Sequence, residues 1–307
     1  MPQLLLEKIT RLRILGKSPL KAYLRMNKRI WNNLSPCLTN IRPIRSYGNF
    51  LQNLIRLQTT REQNFGTLFL RNRPQLELIR RLSDDKREGS TLKITVVACS
   101  KGAEVYSILW TIRMARPDLK ITTYAVDISP EILDFAQKGI YSLTSSEYTN
   151  TPNFGKVSQG EMREMFDVSE DHAQVKSWLK EGIMWHIANA GDPEIVNLLE
   201  PQDIVVANNF LCHMDPPNAE KCLRNIGRLV KDSGYLVVSG IDLDVRTKVA
   251  RDLGWKPLQD LIEDIHEGDS YLRVDWPWKY WSLEPFDKSR RDWEMRYASV
   301  FQISERY

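Results

Sequence analysis

From Thr91 onward, short continuous apolar runs alternate with stretches of helical periodicity. The runs occupy 94–98, 121–126, 183–188, 204–207 and 235–238, are mostly β-branched, and lack the polar alternation of a strand with one wet face. Such strands are buried on both faces, as in a parallel sheet with helices on each side. The segments 104–114, 130–138 and 218–230 read as helices, with Pro130 at a first turn and Gly234 beyond the third. Where no insertion intervenes, the runs lie about 20 to 30 residues apart, the pattern of a doubly wound, Rossmann-like α/β domain.

The ends of the chain differ from this core. In the first 60 residues Leu5, Ile9, Leu12 and Leu15, then Leu20, Leu24, Ile30, Trp31 and Leu34, fall near helical spacing. Lys8, Arg11, Lys21, Arg25 and Lys28 fill the other faces, and Pro19 and Pro36 punctuate two amphipathic helices followed by a loop. Near the other end Trp255, Trp276, Trp278, Trp281 and Trp293 cluster with Tyr271, Tyr280, Phe286, Tyr297 and Phe301. These aromatics either pack an appended antiparallel element or wall a substrate pocket. The expected organisation is a basic helical region 1–60, a catalytic α/β domain 61–245 and an aromatic-rich extension 246–307 packed on it.

Composition narrows the class. With 307 residues and 42% apolar content the chain builds a real core, and a mean hydropathy of −0.40 without an 18-residue apolar window points to neither a membrane span nor export. Cys37, Cys99, Cys212 and Cys222 are scattered with no Cys-x-x-Cys, which suits a reducing compartment. A cytoplasmic location is expected, with peripheral attachment at the inner membrane surface as a variant. His172, His186, His213 and His266 form no metal-binding pair, so no metal is expected. The net charge of +4 conceals an asymmetry: residues 1–61 hold twelve Lys and Arg against Glu7, or +11, and the remainder carries −7. A basic arm suggests an anionic partner: an acidic protein, an anionic membrane surface or nucleic acid.

In an open parallel sheet, ligands bind beyond the carboxyl ends of the strands. The first run is followed by Cys99-Ser100-Lys101-Gly102-Ala103-Glu104, a small-residue turn whose single glycine fails the dinucleotide pattern. Asp127 follows the second run, Asn189 the third, and Asn208-Asn209 the fourth. Each signal alone is weak, since Asp127 or Ser129 can equally cap the helix opening at Pro130. Their occurrence at four successive strand ends suits a nucleoside cofactor without a phosphate cradle, and S-adenosylmethionine (SAM) matches.

The segments 98–107 (ACSKGAEVYS), 126–142 (VDISPEILDFAQKGIYS) and 207–215 (ANNFLCHMD) resemble the signatures of the CheR-type methyltransferases, SAM enzymes that esterify glutamates of chemotaxis receptors. A fourth match, Thr67-Leu-Phe-Leu-Arg71, parallels a Thr-x-Phe-Phe-Arg-like segment of that family, and the resemblance covers about 60–245. It implies a class I methyltransferase sheet. It implies further that Thr67 and Arg71 hold the methionine part of SAM, that Glu104 faces its amino group and that Asp127 binds the ribose. Asn189 and Ala190 would line the adenine, and Asn209 would lie near the reacting end. Cys99, Gly102, Ile128 and Asn208 complete the candidate cofactor set.

Three departures bear on the acceptor. His213-Met214 stands where many members have Tyr-Phe, the stretch 166–182 reads as a shortened form of the family's receptor-gripping antiparallel subdomain, and an aromatic tail follows Gly240. The family favours a protein glutamate carboxylate, which needs no base. His213 favours a small hydroxylated metabolite or glycan, with the imidazole as base and Asp215 to orient it. A third reading is a SAM-binding scaffold or sensor without turnover. Nucleic acid is disfavoured, because Asp215-Pro-Pro-Asn lacks the aromatic that stacks on a flipped base.

Overall fold

The computed structural model describes residues 18–39, 41–63, 65–143, 153–269 and 271–304. The helix expected around Leu5 to Leu15 lies outside them. The chain divides into two compact units, one taking residues up to Glu62 together with the stretch to Asp287 that follows Asp269, the other taking Gln63–Asp269 and Lys288–Tyr307.

In the first unit, helix α1 (Pro19–Asn32) is capped by Ser18, whose side chain accepts from the Lys21 amide at 3.4 Å, and buries Leu20, Leu24 and Trp31. The expected loop after it is instead a single turn, Pro36–Thr39, and a 17-residue helix α2 (Arg42–Gln58). Pro43 stands at its first turn, where proline is compatible with a helix start. Trp276 sits edge-on to Trp31 at 5.4 Å between centroids and donates its Nε1 proton to Gln52 at 3.2 Å. Gly48 of α2 makes this possible, since a Cβ there would fall 2.3 Å from the Trp276 ring.

The second unit runs α3 (Arg73–Leu82), β1 (Thr91–Val97), α4 (Ala103–Ala115), β2 (Lys120–Asp127), α5 (Pro130–Lys138) and β3 (Ile140–Ser142). It continues with α6 (Gln159–Met165), β4 (Phe166–Val168), β5 (His172–Val175), β6 (Ile183–Ile187), β7 (Gln202–Asn208) and α7 (Pro216–Gly227). It ends with β8 (Val230–Ser239), α8 (Leu243–Asp252), β9 (Lys256–Pro257), α9 (Ile262–Glu267), α10 (Trp293–Tyr297) and β10 (Val300–Gln302). The seven-stranded sheet has the order β6-β2-β1-β7-β8-β10-β9. The five strands read from the apolar runs are mutually parallel, and β10 is antiparallel to β8 and β9. Ile94, Val96, Val205, Val206 and Val237 are fully or almost fully buried, the two-sided burial that continuous β-branched runs require.

Two features differ from the sequence reading. The third helix begins at Pro216 behind an Asp215 cap and stops at Gly227, so Val230 and Gly234 belong to β8. The sheet gains β9 and β10 from the aromatic-rich region, where Trp255 lies 6.0 Å from Phe301. In the stretch 166–182, where a shortened antiparallel subdomain is expected, β4 and β5 join β3 in a second, antiparallel sheet of order β3-β5-β4.

Strand order reverses between β1 and β7, where the chain leaves toward β2 and β6 and returns toward β8. Adjacent loops there diverge to opposite faces and leave a crevice beyond the carboxyl ends. At the opposite end of β7 the buried Asp203 accepts from Lys86 at 2.7 Å and from the Lys93 amide at 2.8 Å, and pairs with Lys231. Burial pushes this carboxyl up, but the hydrogen bonds from Lys231 and Lys86 outweigh it and hold it below the usual range. The ionised form is therefore stabilised by folding, and that stability is lost only as pH falls through the carboxylate range. Asp203→Asn should cost about 2 kcal/mol at pH 7. Denaturant titrations should show the same deficit down to pH of about 5 and a shrinking one below about 4.

Candidate functional site

The crevice is built from backbone held in uncommon conformations. After β1, Ala98, Ser100 and Gly102 have φ of 52°, 49° and 83°, and after β7 Asn209 has φ of 61°. Left-handed non-glycine residues are sparse and persist where their surroundings over-determine them. Here those surroundings are Asp127, Gly240 and a hydrogen-bonded amide.

Asp127 is 4% exposed at the end of β2. One carboxylate oxygen accepts from the Ser100 amide at 2.9 Å, the other from the Ser129 amide at 3.1 Å. Ser129 itself caps α5 through the Ile132 amide, so both residues weighed as the cap act at this turn. Gly240 (φ 57°) lies so close to Asn209 that a Cβ would fall 2.4 Å from its Cα. The Asn208 amide group donates to Glu104 Oε1 at 2.7 Å and Gln75 Oε1 at 2.8 Å, while its Oδ1 accepts from Ser239 at 2.8 Å. Burial raises the Glu104 carboxyl above its ordinary value, against the opposing hydrogen bond from Asn208 and the charge of Arg71.

A third wall comes from the segment before α3. Phe69 is fully buried among Tyr141, Phe154 and Phe166, at 4.9, 5.4 and 4.9 Å between centroids. The Leu70 amide donates to Ser107 at 3.0 Å. This anchored segment carries Thr67 and Arg71, and Arg71 Nε stands 3.7 Å from Asp269. Beyond β6, Asn189 Oδ1 accepts from the Gly191 amide at 2.9 Å and the Ala190 carbonyl accepts from Asn225 at 2.8 Å.

These elements enclose a cavity of about 350 Å³. Thr67, Arg71, Cys99, Glu104, Asp127, Ile128, Asn189, Ala190, Asn208, Asn209 and His213 all line it. Gly102 is not among the lining residues; its α-carbon faces Ala136, Tyr106 and Trp185. Cys99 is held protonated, because burial and then the nearby Asp127 push its thiol well up. Asp215 accepts from the Asn218 amide at 2.9 Å and so serves as the cap of α7.

Sequence reasoning missed Gln75, Ser239 and Asp269. Gln75 reads as one polar position on an amphipathic helix, Ser239 as the end of an apolar run, and Asp269 lies 54 residues beyond Asp215, where the last of the recognised motifs ends. Of the aromatic residues expected as pocket walls, Trp255, Trp293, Tyr297 and Phe301, which share a unit with the cavity, do not line it. Among the described residues no cluster of His, Cys, Asp or Glu is suited to a metal ion, and no helix is long and apolar enough to cross a membrane.

Chemically, the cavity combines the buried Asp127 carboxylate at a strand end with Arg71 and a second carboxylate, Glu104, which interact through their charges. Asp127 retains acceptor capacity for the paired hydroxyls of a ribose, and Arg71 with Glu104 can meet the two charges of an α-amino acid. SAM carries both groups, so the donor set fits it.

Comparison with known proteins supports the same conclusion. A family model described as CheR methyltransferase, SAM binding domain, matches residues 65–243, and the chain belongs to that family. Chemotaxis protein methyltransferase 2 of Vibrio cholerae is 27% identical over 197 residues, covering 62% of this chain and 64% of its own. The chemotaxis protein methyltransferase of Borreliella burgdorferi is 24% identical over 155 residues, 49% of this chain and 52% of its own. The chain thus spans less than two thirds of the length of either relative.

Asp127→Ala removes the carboxylate that the cavity offers to a ribose and orphans the Ser100 and Ser129 amides at once. S-adenosylhomocysteine (SAH) affinity should fall at least about a hundredfold by titration calorimetry, with a stability loss of about 2 kcal/mol. An unchanged affinity would contradict the assignment of Asp127.

Proposed function

We propose that this protein is a SAM-dependent methyltransferase acting on an oxygen acceptor, with a protein glutamate carboxylate as the acceptor class. The observation that carries the reading is the convergence of Thr67, Arg71, Glu104, Asp127, Asn189, Asn208 and Asn209 on one cavity at the strand-order reversal. Both relatives described above are named chemotaxis protein methyltransferases, which favours a protein acceptor.

When bound, SAM supplies an electrophilic methyl group on a sulfonium. The chain's task is to align an acceptor behind that methyl and to exclude water. Arg71 and Glu104 would fix the amino-acid end, Asp127 the ribose, and Asn189 with Ala190 the adenine. The chain then needs no base for a carboxylate acceptor, because that group is already ionised at neutral pH.

A second reading rests on His213, which lines the same cavity beside Phe210 and Met214 where many family members carry tyrosine. An imidazole there suits proton removal from a hydroxyl of a metabolite or glycan. The basic helical region suits an acidic protein or an anionic membrane surface, for Lys21, Arg25, Lys28 and Arg29 are all exposed on α1.

The chemistry of the product separates the acceptors. Proteins of a cell extract labelled from methyl-labelled SAM should release the label as methanol in mild alkali, as an ester does. The His213→Gln variant should retain turnover, with kcat/KM flat from pH 6 to 8. Alkali-stable label on small molecules, with a turnover that rises with pH as the base is uncovered and is abolished in the variant, would favour the hydroxyl acceptor instead. Absence of any transfer from a chain that binds SAH would favour the scaffold or sensor.

A further inference from the structure

The cavity contains one acid that none of the recognised motifs supplies. Asp269 follows α9, lies outside the matched region 65–243, is 6% exposed, and still lines the cavity. Its two oxygens are divided between two cations: Oδ2 stands 3.7 Å from Arg71 Nε and Oδ1 3.2 Å from Lys156 Nζ.

Lys156 ties three strands of chain together at this point. Its ammonium donates to the Arg71 carbonyl, to the Gly268 carbonyl at 3.2 Å and to Asp269. One residue further along, Asn72 donates from Nδ2 to the Ile265 carbonyl at 2.9 Å, while its Oδ1 caps α3 through the Gln75 amide at 3.2 Å. The Arg71 backbone is therefore fastened to the segment 265–269 through Lys156 and through the adjacent Asn72, and the Arg71 side chain is flanked by an acid from the same segment. A long arginine side chain loses rotamer freedom when it captures an anion, and an ion pair formed beforehand removes part of that cost from binding.

We infer that Asp269, backed by Lys156, is a positioning residue that pre-orders Arg71 for the carboxylate of the cofactor's amino-acid moiety. The inference rests on the SAM reading of the cavity. Asp269 acts at the amino-acid end alone: the ribose is the province of Asp127, on β2, and the adenine that of the loop after β6. Its contribution is therefore confined to ligands that carry the amino-acid group.

A pair of ligands tests this on the full chain without reference to turnover. SAH carries the amino-acid moiety, and 5′-methylthioadenosine keeps the nucleoside and sulfur but lacks it. By calorimetry, Asp269→Asn should weaken SAH at least tenfold while leaving 5′-methylthioadenosine within twofold of the parent protein. Lys156→Met should repeat the pattern at smaller amplitude, and this variant decides the matter if Asp269→Asn does not fold. Unchanged or tighter SAH binding would overturn the inference, the latter because Asp269 would then be competing with the ligand's carboxylate for Arg71. Equal losses for both ligands would also overturn it, reducing Asp269 to a general support of the fold. If the parent protein binds 5′-methylthioadenosine but not SAH, the inference fails while the nucleoside site stands. If it binds neither, the SAM reading itself fails and takes the inference with it.

Discussion

The structure of the site depends on one buried carboxylate and the two backbone amides that it holds. Asp127 joins the turn after β1 to the turn after β2 by accepting from Ser100 and Ser129. A parallel sheet ends its strands in loops with unsatisfied amides, and an aspartate at a strand end satisfies several of them with charge-assisted bonds. The same interaction fixes Ser100 in a left-handed conformation and directs its hydroxyl to the Phe65 carbonyl at 2.9 Å. The segment leading to Thr67 and Arg71 is thereby attached to the cofactor side of the sheet. A structural role as turn cap and a functional role as ribose acceptor are thus both open to the same side chain.

The rest of the site is organised around polar groups that are buried and satisfied. Asn208 uses both amide protons and its carbonyl oxygen to link Gln75, Glu104 and Ser239, which come from three different elements. In a low-dielectric pocket each such bond is stronger than in water, and each missing partner is costly. The network therefore holds the Glu104 carboxylate at a defined point although burial alone disfavours its charge. For a displacement that needs alignment more than proton transfer, rigid placement of charge is the main service a protein can offer.

Much of this was legible in the sequence because apolar continuity reports burial directly. The five parallel strands follow from it, as does the position of the chemistry at their ends. Elements without that signal were not legible. Strands β9 and β10 have two and three residues, too short for any periodicity, and β10 acquires its identity by pairing with β8. Helix α2 lies where a loop is expected, and its Pro43 fits a helix because it stands at the first turn. Gln75 and Asp269 look like ordinary polar residues because what distinguishes them is the tertiary contact, to Asn208 in one case and to Arg71 and Lys156 in the other. Local pattern reveals which residues must be buried; it does not reveal which distant residue will meet them.

Everything proposed for this protein depends on the carboxyl ends of β1, β2, β6 and β7 forming a SAM site. The most direct measurement is a crystal structure of the protein grown with SAH. Density is expected in this cavity, with the ribose hydroxyls within hydrogen-bonding distance of Asp127 and the amino-acid carboxylate facing Arg71. Density at another place, or the nucleoside in the cavity with its ribose away from Asp127, would contradict it.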